Sequence, residues 1–342
     1  MVFGAGAVGS ALAGYLARRG HPVIAVAREA HAEAVTRQGG LRVRSREETF
    51  LAPVRAETRL SSEVPAGAVL MLAMQAPDVE ASLDAVAPLA ASRPVITWQN
   101  GIRSEAIAAR RCPDVLGGIV RFTSTLLEPG EVRLRLPGQL IVGRFPSGRD
   151  PVAETVVADL AAAGFTARES PDIRVEKALK LLVNLVSGPA VLVHRTEPDL
   201  ALARVQTVLL EEAVRVFAAA GIRAEPLSGL GQTVEELIAG FRSGGTAPDT
   251  SGGIYNSTWQ NLHHGRPRLE NDGYHGEIVR LGRDHGIEAP VNARVLEVLE
   301  AVRARGLGPE PFSPAEFRAL FEGWVRFDLG EAPGAAPKDL EI

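Results

Sequence analysis

Lys180 and Asn184 stand four residues apart in the run Lys180-Leu181-Leu182-Val183-Asn184, a spacing that puts both on one face of a helix. A lysine in such apolar company is expensive to bury without a partner or a task. Its ammonium can protonate the alkoxide that develops when a ketone accepts hydride, or stabilise that charge. Glu270 follows the loop Gly265-Arg266-Pro267-Arg268, with Ser257 and Gln260 upstream. A carboxylate there can hold a hydroxyl and orient the lysine, while Ser257 and Asn184 can hydrogen-bond a carboxylate. Asn100 lies in Trp98-Gln99-Asn100-Gly101, at the end of an apolar run. Each residue also has a plainer reading. Lys180 can lay its stem along an amphipathic helix, and Glu270 can be a helix-start residue favoured by the dipole. His263 and His264, beside Gly265, have no third ligand at metal spacing and read as solvated loop residues.

Hydride transfer needs a donor, and the first residues supply a place for one. Gly4-Ala5-Gly6-Ala7-Val8-Gly9 has the G-x-G-x-x-G spacing of a dinucleotide turn. The three glycines serve a tight turn, close approach of a pyrophosphate, and close packing of the following helix. Phosphates would sit on the free amides at that helix start. Val2-Phe3 reads as a strand end, 10–19 as a helix closed by Gly20, and 23–27 as the second strand. This first strand is shorter than usual. The second strand ends at Ala27-Arg28, where a carboxylate would mark a ribose 2′-hydroxyl. Arginine fits a 2′-phosphate instead, which favours NADP(H). The other reading leaves Arg28 as a solvated loop residue and gives recognition to Glu29.

The elements that would position these groups alternate between strand and helix through the first half. Strands are expected at 41–43, 54–56, 69–74, 94–98, 117–125, 131–136, 140–143 and 166–168, with helices at 30–38, 78–89 and 153–163. From about Asp172 the pattern turns helical, at 175–194, 199–220, 233–241, 270–285 and 289–303. The sequence thus predicts an α/β chain, with a Rossmann-type doubly wound domain over 1–171 and an all-α domain over 172–328. A mobile Gly/Ala/Pro-rich tail is expected over 329–342.

The 342 residues carry a net charge of −4, with 46% hydrophobic and 23% charged residues, which gives no support to nucleic-acid or membrane binding. No run reaches membrane-spanning length, and the apolar start lacks the basic region of a signal peptide. The single cysteine, Cys112, excludes an internal disulfide and reads as structural, in keeping with the cytoplasm.

The chain resembles the ketopantoate reductases (2-dehydropantoate 2-reductases) over roughly residues 1–303. The resemblance is carried by the glycine turn, Gln99-Asn100-Gly101, Lys180 to Asn184, Asn256-Ser257-Thr258-Trp259-Gln260-Asn261-Leu262, Gly265-Arg266-Pro267, Glu270-Asn271-Asp272, and Gly286 to Asn292. It implies a second domain like the C-terminal domain of 6-phosphogluconate dehydrogenase. It further implies NADPH-dependent reduction of 2-dehydropantoate to pantoate, on the route to pantothenate and coenzyme A. By resemblance Lys180 is the general acid and Glu270 the acid near the substrate hydroxyl. Asn100 lies between nicotinamide and substrate, Asn184 and Ser257 hold substrate, and Arg28 meets the 2′-phosphate. A homodimer is the family's frequent state.

Three departures bear on the substrate. A phosphate-binding lysine after the fourth strand is replaced by Gln75, and a second substrate asparagine by Gly188. Arg121 adds an unexpected charge at a strand end that could read an extra anionic group. The alternatives are a reductase of another branched 2-oxo acid, a non-catalytic NADPH sensor, and a flavoprotein.

Overall fold

The computed structural model describes all residues except 61–63, 66, 195–198, 228–231, 245–254 and 328–342. The tail expected to be mobile therefore lies outside the described residues. The described residues group into two compact units, Met1–Lys177 with Tyr255, and the remainder from Ala178 onward.

The first unit is built on strands β1 (Val2–Phe3), β2 (Ile24–Val26), β3 (Leu41–Arg44), β4 (Thr49–Ala52), β5 (Arg55–Glu57), β6 (Leu70–Leu72), β7 (Val95–Thr97), β8 (Val115–Arg121), β9 (Ser124–Thr125), β10 (Glu131–Leu134), β11 (Gln139–Arg144) and β12 (Thr166–Glu169). Its helices are α1 (Ala7–Arg18), α2 (Glu29–Arg37), α3 (Val79–Ala90), α4 (Ser104–Ala109) and α5 (Pro151–Ala162). The main sheet has the order β12-β11-β8-β7-β6-β1-β2-β5. From β5 to β8 every neighbouring pair is parallel, while β11 runs antiparallel to β8. The order of the parallel strands is the doubly wound arrangement with a switch point between β1 and β6, where ligands bind beyond the carboxyl ends. β1 is only two residues long, yet it is central: Val2 pairs with Ala25 on one side and Met71 on the other.

The excursion after α2 leaves this sheet. β3 and β4 join β10 and β9 in a second, four-stranded sheet that packs on α1. Tyr15 of α1 meets Phe50 of β4 edge-on at 5.3 Å. The run expected as one strand over 117–125 is divided between the two sheets. Apolar clusters cover both faces of the main sheet, as parallel sheets require. Cys112 is buried in one of them, where burial pushes its thiol pKa up.

Helix α6 (Ile173–Leu185) runs from the first unit into the second, which continues with α7 (Ser187–Ala190), α8 (Leu200–Ala219), α9 (Val234–Arg242), α10 (Ser257–His263), α11 (His275–His285), α12 (Pro290–Ala304) and α13 (Pro314–Phe321). The buried α8 is the centre on which α7, α9, α11, α12 and α13 pack. The helix expected over 175–194 is two helices, because Pro189 has no amide proton to continue the ladder from α6. The helix expected from Glu270 starts instead as a 3-10 turn, Glu270–Gly273, and becomes α-helical at His275.

Candidate active site

The first unit holds the glycine turn, Arg28, Gln75 and Asn100, all just past the carboxyl ends of β1, β2, β6 and β7. Gly4 has φ +94°, a region that side chains rarely tolerate, and its amide and that of Ala5 donate to Val26 O at 3.1 and 2.9 Å. A Cβ on Gly9 would collide with Gly4 O, whereas Gly6 faces open space. No side chain caps the start of α1, so its first amides are left for an outside acceptor. These are the features a dinucleotide pyrophosphate needs, and the residues present fit that group.

A buried relay fixes the turn. Gly130 N donates to His31 Nδ1 at 2.9 Å, which places the ring proton on Nε2. Nε2 then donates to Ser10 Oγ at 3.1 Å, and Ser10 Oγ donates to Ala5 O at 3.1 Å. Burial lowers the His31 pKa, in keeping with this neutral form. Sequence reasoning missed His31, because its partner Gly130 is far away in the chain. Arg28 is exposed at the N-cap of α2, directly followed by exposed Glu29.

Asn100 is half-buried and follows Gln99, whose side-chain amide donates to Leu72 O at 2.9 Å and Met74 O at 3.0 Å. Half-buried Gln75 comes next after Met74, so the turns past β6 and β7 are tied together. Arg121 is half-buried at the end of β8. Arg168 pairs with the fully buried Glu176, its Nη1 donating to Oε1 at 2.9 Å. Burial, and then the positive charge of Arg168, lower the Arg121 pKa against the pull of Glu176.

The second unit holds Lys180, Asn184, Ser257 and Glu270. Lys180 and Asn184 are half-buried on α6 among buried Leu181, Leu182 and Leu185. Beyond Asn184, Ser187 Oγ donates to Asn184 O at 2.7 Å and meets Thr258 Oγ1 at 3.4 Å. Ser257, the neighbour of Thr258, is thereby brought to the end of the lysine helix. It is the first residue of α10, a helix not among those expected from the sequence. Asn256 caps that helix by accepting from Trp259 N at 2.9 Å. Helix α10 packs on the 3-10 turn that carries Glu270. Tyr274 Oη donates to Glu270 Oε2 at 2.8 Å, which fixes the carboxylate. His263 and His264 are exposed at the far end of α10, with His263 stacked on Trp259 at 4.7 Å. Among the described residues no group of His, Cys, Asp or Glu could hold a metal ion, and no helix is long and apolar enough to cross a membrane.

Gly188 has a packing reason. A side chain there would run into His275 Nε2 and come within 3.2 Å of Val295 Cγ1. His275 is held from its other nitrogen: Asn292 Nδ2 donates to Leu209 O and Glu212, so Asn292 Oδ1 accepts from His275 Nδ1 at 2.9 Å. Gly188→Ala is expected to destabilise the protein by about 1–3 kcal/mol through overpacking, measured by urea unfolding.

Residues 1–147 match the family profile Ketopantoate reductase PanE/ApbA, and residues 172–303 match Ketopantoate reductase PanE/ApbA C terminal. The 2-dehydropantoate 2-reductase of Caulobacter vibrioides is 30% identical over 315 residues, covering 88% of this chain and 97% of that protein. The chain belongs to the ketopantoate reductase family. The family's 2-dehydropantoate 2-reductase from Archaeoglobus fulgidus is 28% identical, covering 89% of this chain and 97% of its own. The crystal structure of 2-dehydropantoate 2-reductase from Methylococcus capsulatus superposes with a TM-score of 0.71 at 25% identity, over 89% of this chain and 96% of that one. The ternary structure of D-mandelate dehydrogenase with NADH and anilino(oxo)acetate has the same fold, with a TM-score of 0.75 at 23% identity over 90% of this chain and 100% of that one. The protein is accordingly an oxidoreductase of the 2-dehydropantoate 2-reductase type, and NADH is the cofactor bound in the D-mandelate dehydrogenase structure.

Proposed function

We propose that this protein reduces a 2-oxo acid with NADPH, and that ketopantoate is its first candidate substrate. The observation that carries the reading is in the second unit, where Ser187 ties the lysine helix to the start of α10 and α10 packs on the turn bearing Glu270. Lys180, Asn184, Ser257 and Glu270 then serve one task. Bound NADPH would supply hydride to C2 of the acid. Lys180 holds its proton toward the ketone oxygen and releases it as negative charge develops there. Glu270, oriented by Tyr274, accepts the product hydroxyl proton in a hydrogen bond. Ser257 and Asn184 donate to the substrate carboxylate, and Asn100 separates cofactor from substrate. The glycine turn from Gly4 to Gly9 would hold the pyrophosphate, with Gln75 beside the cofactor phosphate and Arg28 on the 2′-phosphate.

A second reading, reduction of another 2-oxo acid, is favoured by Gly188. With His275 filling the space, no side chain at this position can hold a substrate hydroxyl. Arg121 points the same way, as a charge suited to an additional anionic group. Both readings are tested by oxidation of NADPH and NADH with ketopantoate, 2-oxoisovalerate and phenylglyoxylate. Turnover confined to ketopantoate supports the first, and a better rate on another acid supports the second. Failure to turn over any 2-oxo acid removes both. Arg28→Ala is expected to narrow the preference for NADPH over NADH by about tenfold, the loss of one charge-assisted contact. An unchanged ratio of kcat/KM values would place 2′-phosphate recognition elsewhere.

A further inference from the structure

Lys177 is a buried cation that the reaction described above does not use. It is 3% exposed and lies in the first unit, one helical turn before Lys180 on α6. Its ammonium is ion-paired with Glu105 of α4, itself 2% exposed, and donates to Gln99 O at 2.8 Å. Glu105 Oε1 also accepts from Thr97 Oγ1 at 2.5 Å, at the end of β7.

Such a pair is a poor source of stability. Taking two charges out of water costs about as much as their attraction returns, and apolar replacements are often neutral or stabilising. What the pair does accomplish is local. Gln99 O and the amide nitrogen of Asn100 share one planar peptide unit, so a donor on that oxygen sets the plane from which Asn100 begins. The next residue, Gly101, has φ +88°, a glycine-favoured conformation with little intrinsic stiffness. From the other side, the Gln99 side chain anchors the same turn to Leu72 O and Met74 O.

We propose that Lys177, held by Glu105, is a positioning residue that sets the Asn100 turn. This rests on the reading of Asn100 as the group between nicotinamide and substrate. Lys177 touches neither of them. It fixes the peptide that aims Asn100, and a small misplacement at such a point can cost about a hundredfold in rate.

The test compares wild type with the double variant Lys177→Met, Glu105→Gln, which removes the donor without leaving a buried charge unpaired. The double variant is expected to keep its melting temperature within a few degrees and its NADPH affinity within about threefold, while kcat falls roughly ten- to a hundredfold. Lys177→Gln in the same Glu105→Gln background keeps an amide donor for Gln99 O and is expected to recover much of the loss. Hydrogen exchange of the segment 98–104 is expected to quicken in the methionine variant and return toward wild type in the glutamine variant. Unchanged kcat with unchanged exchange overturns the proposal. So does a loss of kcat that follows a loss of stability and is not recovered by glutamine. If the wild type turns over no 2-oxo acid, the functional reading fails, and the exchange comparison alone then decides whether Lys177 holds the turn.

Discussion

Lys180→Ala is expected to lower kcat about a hundred- to ten-thousandfold, the range over which a positioned general acid acts, while NADPH affinity stays within about threefold. The split follows from placement. Lys180 sits in the second unit on α6, whereas the glycine turn, Arg28 and Gln75 belong to the first unit. In the proposed reaction, removing the ammonium withdraws the proton needed as hydride reaches C2 and leaves intact the turn amides and the arginine proposed to hold the nucleotide. Stopped-flow single turnover with NADPH and ketopantoate reads the chemical step, and quenching of protein fluorescence by NADPH reads affinity. An unchanged rate would remove Lys180 as the acid. A parallel loss of affinity would make it a cofactor ligand.

The second large effect is loss of stability in acid. Burial pushes the His275 pKa down to about 4, although its contacts with Asn292 and Leu185 favour the charged form. Because this folded value lies below the unfolded value near 6.5, the unfolded chain takes the proton first as pH falls. The stability contributed by neutral His275 is complete above about pH 6.5 and is lost progressively toward pH 4. Between pH 7 and pH 5 this is on the order of 2 kcal/mol. His31, lowered by burial, acts in the same direction. Glu212, joined to His275 through Asn292, acts in the opposite one, since burial raises its pKa and favours protonation in the folded state. Urea unfolding of wild type and His275→Gln at the two pH values isolates the His275 share. The variant is expected to lose clearly less stability on acidification than the wild type. Equal losses would show that His275 does not titrate differently on folding.

The residues of the glycine turn and the alternation of strands were legible because they are local. Gly4, Gly6 and Gly9 announce a turn by spacing, 69–74 announces a buried strand by an unbroken apolar run, and 94–98 does so by a run broken at Thr97 alone. The lysine helix was legible through Lys180 and Asn184, although its end was not: Gly188-Pro189 breaks it, and the apolar pattern reads straight through that break. Helix α10 escaped notice because Asn256-Ser257-Thr258-Trp259-Gln260-Asn261 is polar and owes its form to a cap and to packing. Lys177 was invisible in another way. Its neighbour Glu176 makes it look like part of a solvated charged face, and Glu105 lies far away in the chain. Its position directly before the apolar pair Ala178-Leu179 was the one available signal. The His275–Gly188 fit was likewise beyond reach, since a glycine in sequence does not say which side chain occupies its space.

In the proposed reaction hydride passes from a reduced nicotinamide to C2 of a 2-oxo acid. Incubation with NADPH deuterated at the transferring position and ketopantoate, followed by mass spectrometry of the hydroxy acid, tests it directly. The expected product carries one deuterium at C2 and forms in step with cofactor oxidation. Cofactor oxidation without label in the product, or no hydroxy acid from ketopantoate or any other 2-oxo acid, would contradict it.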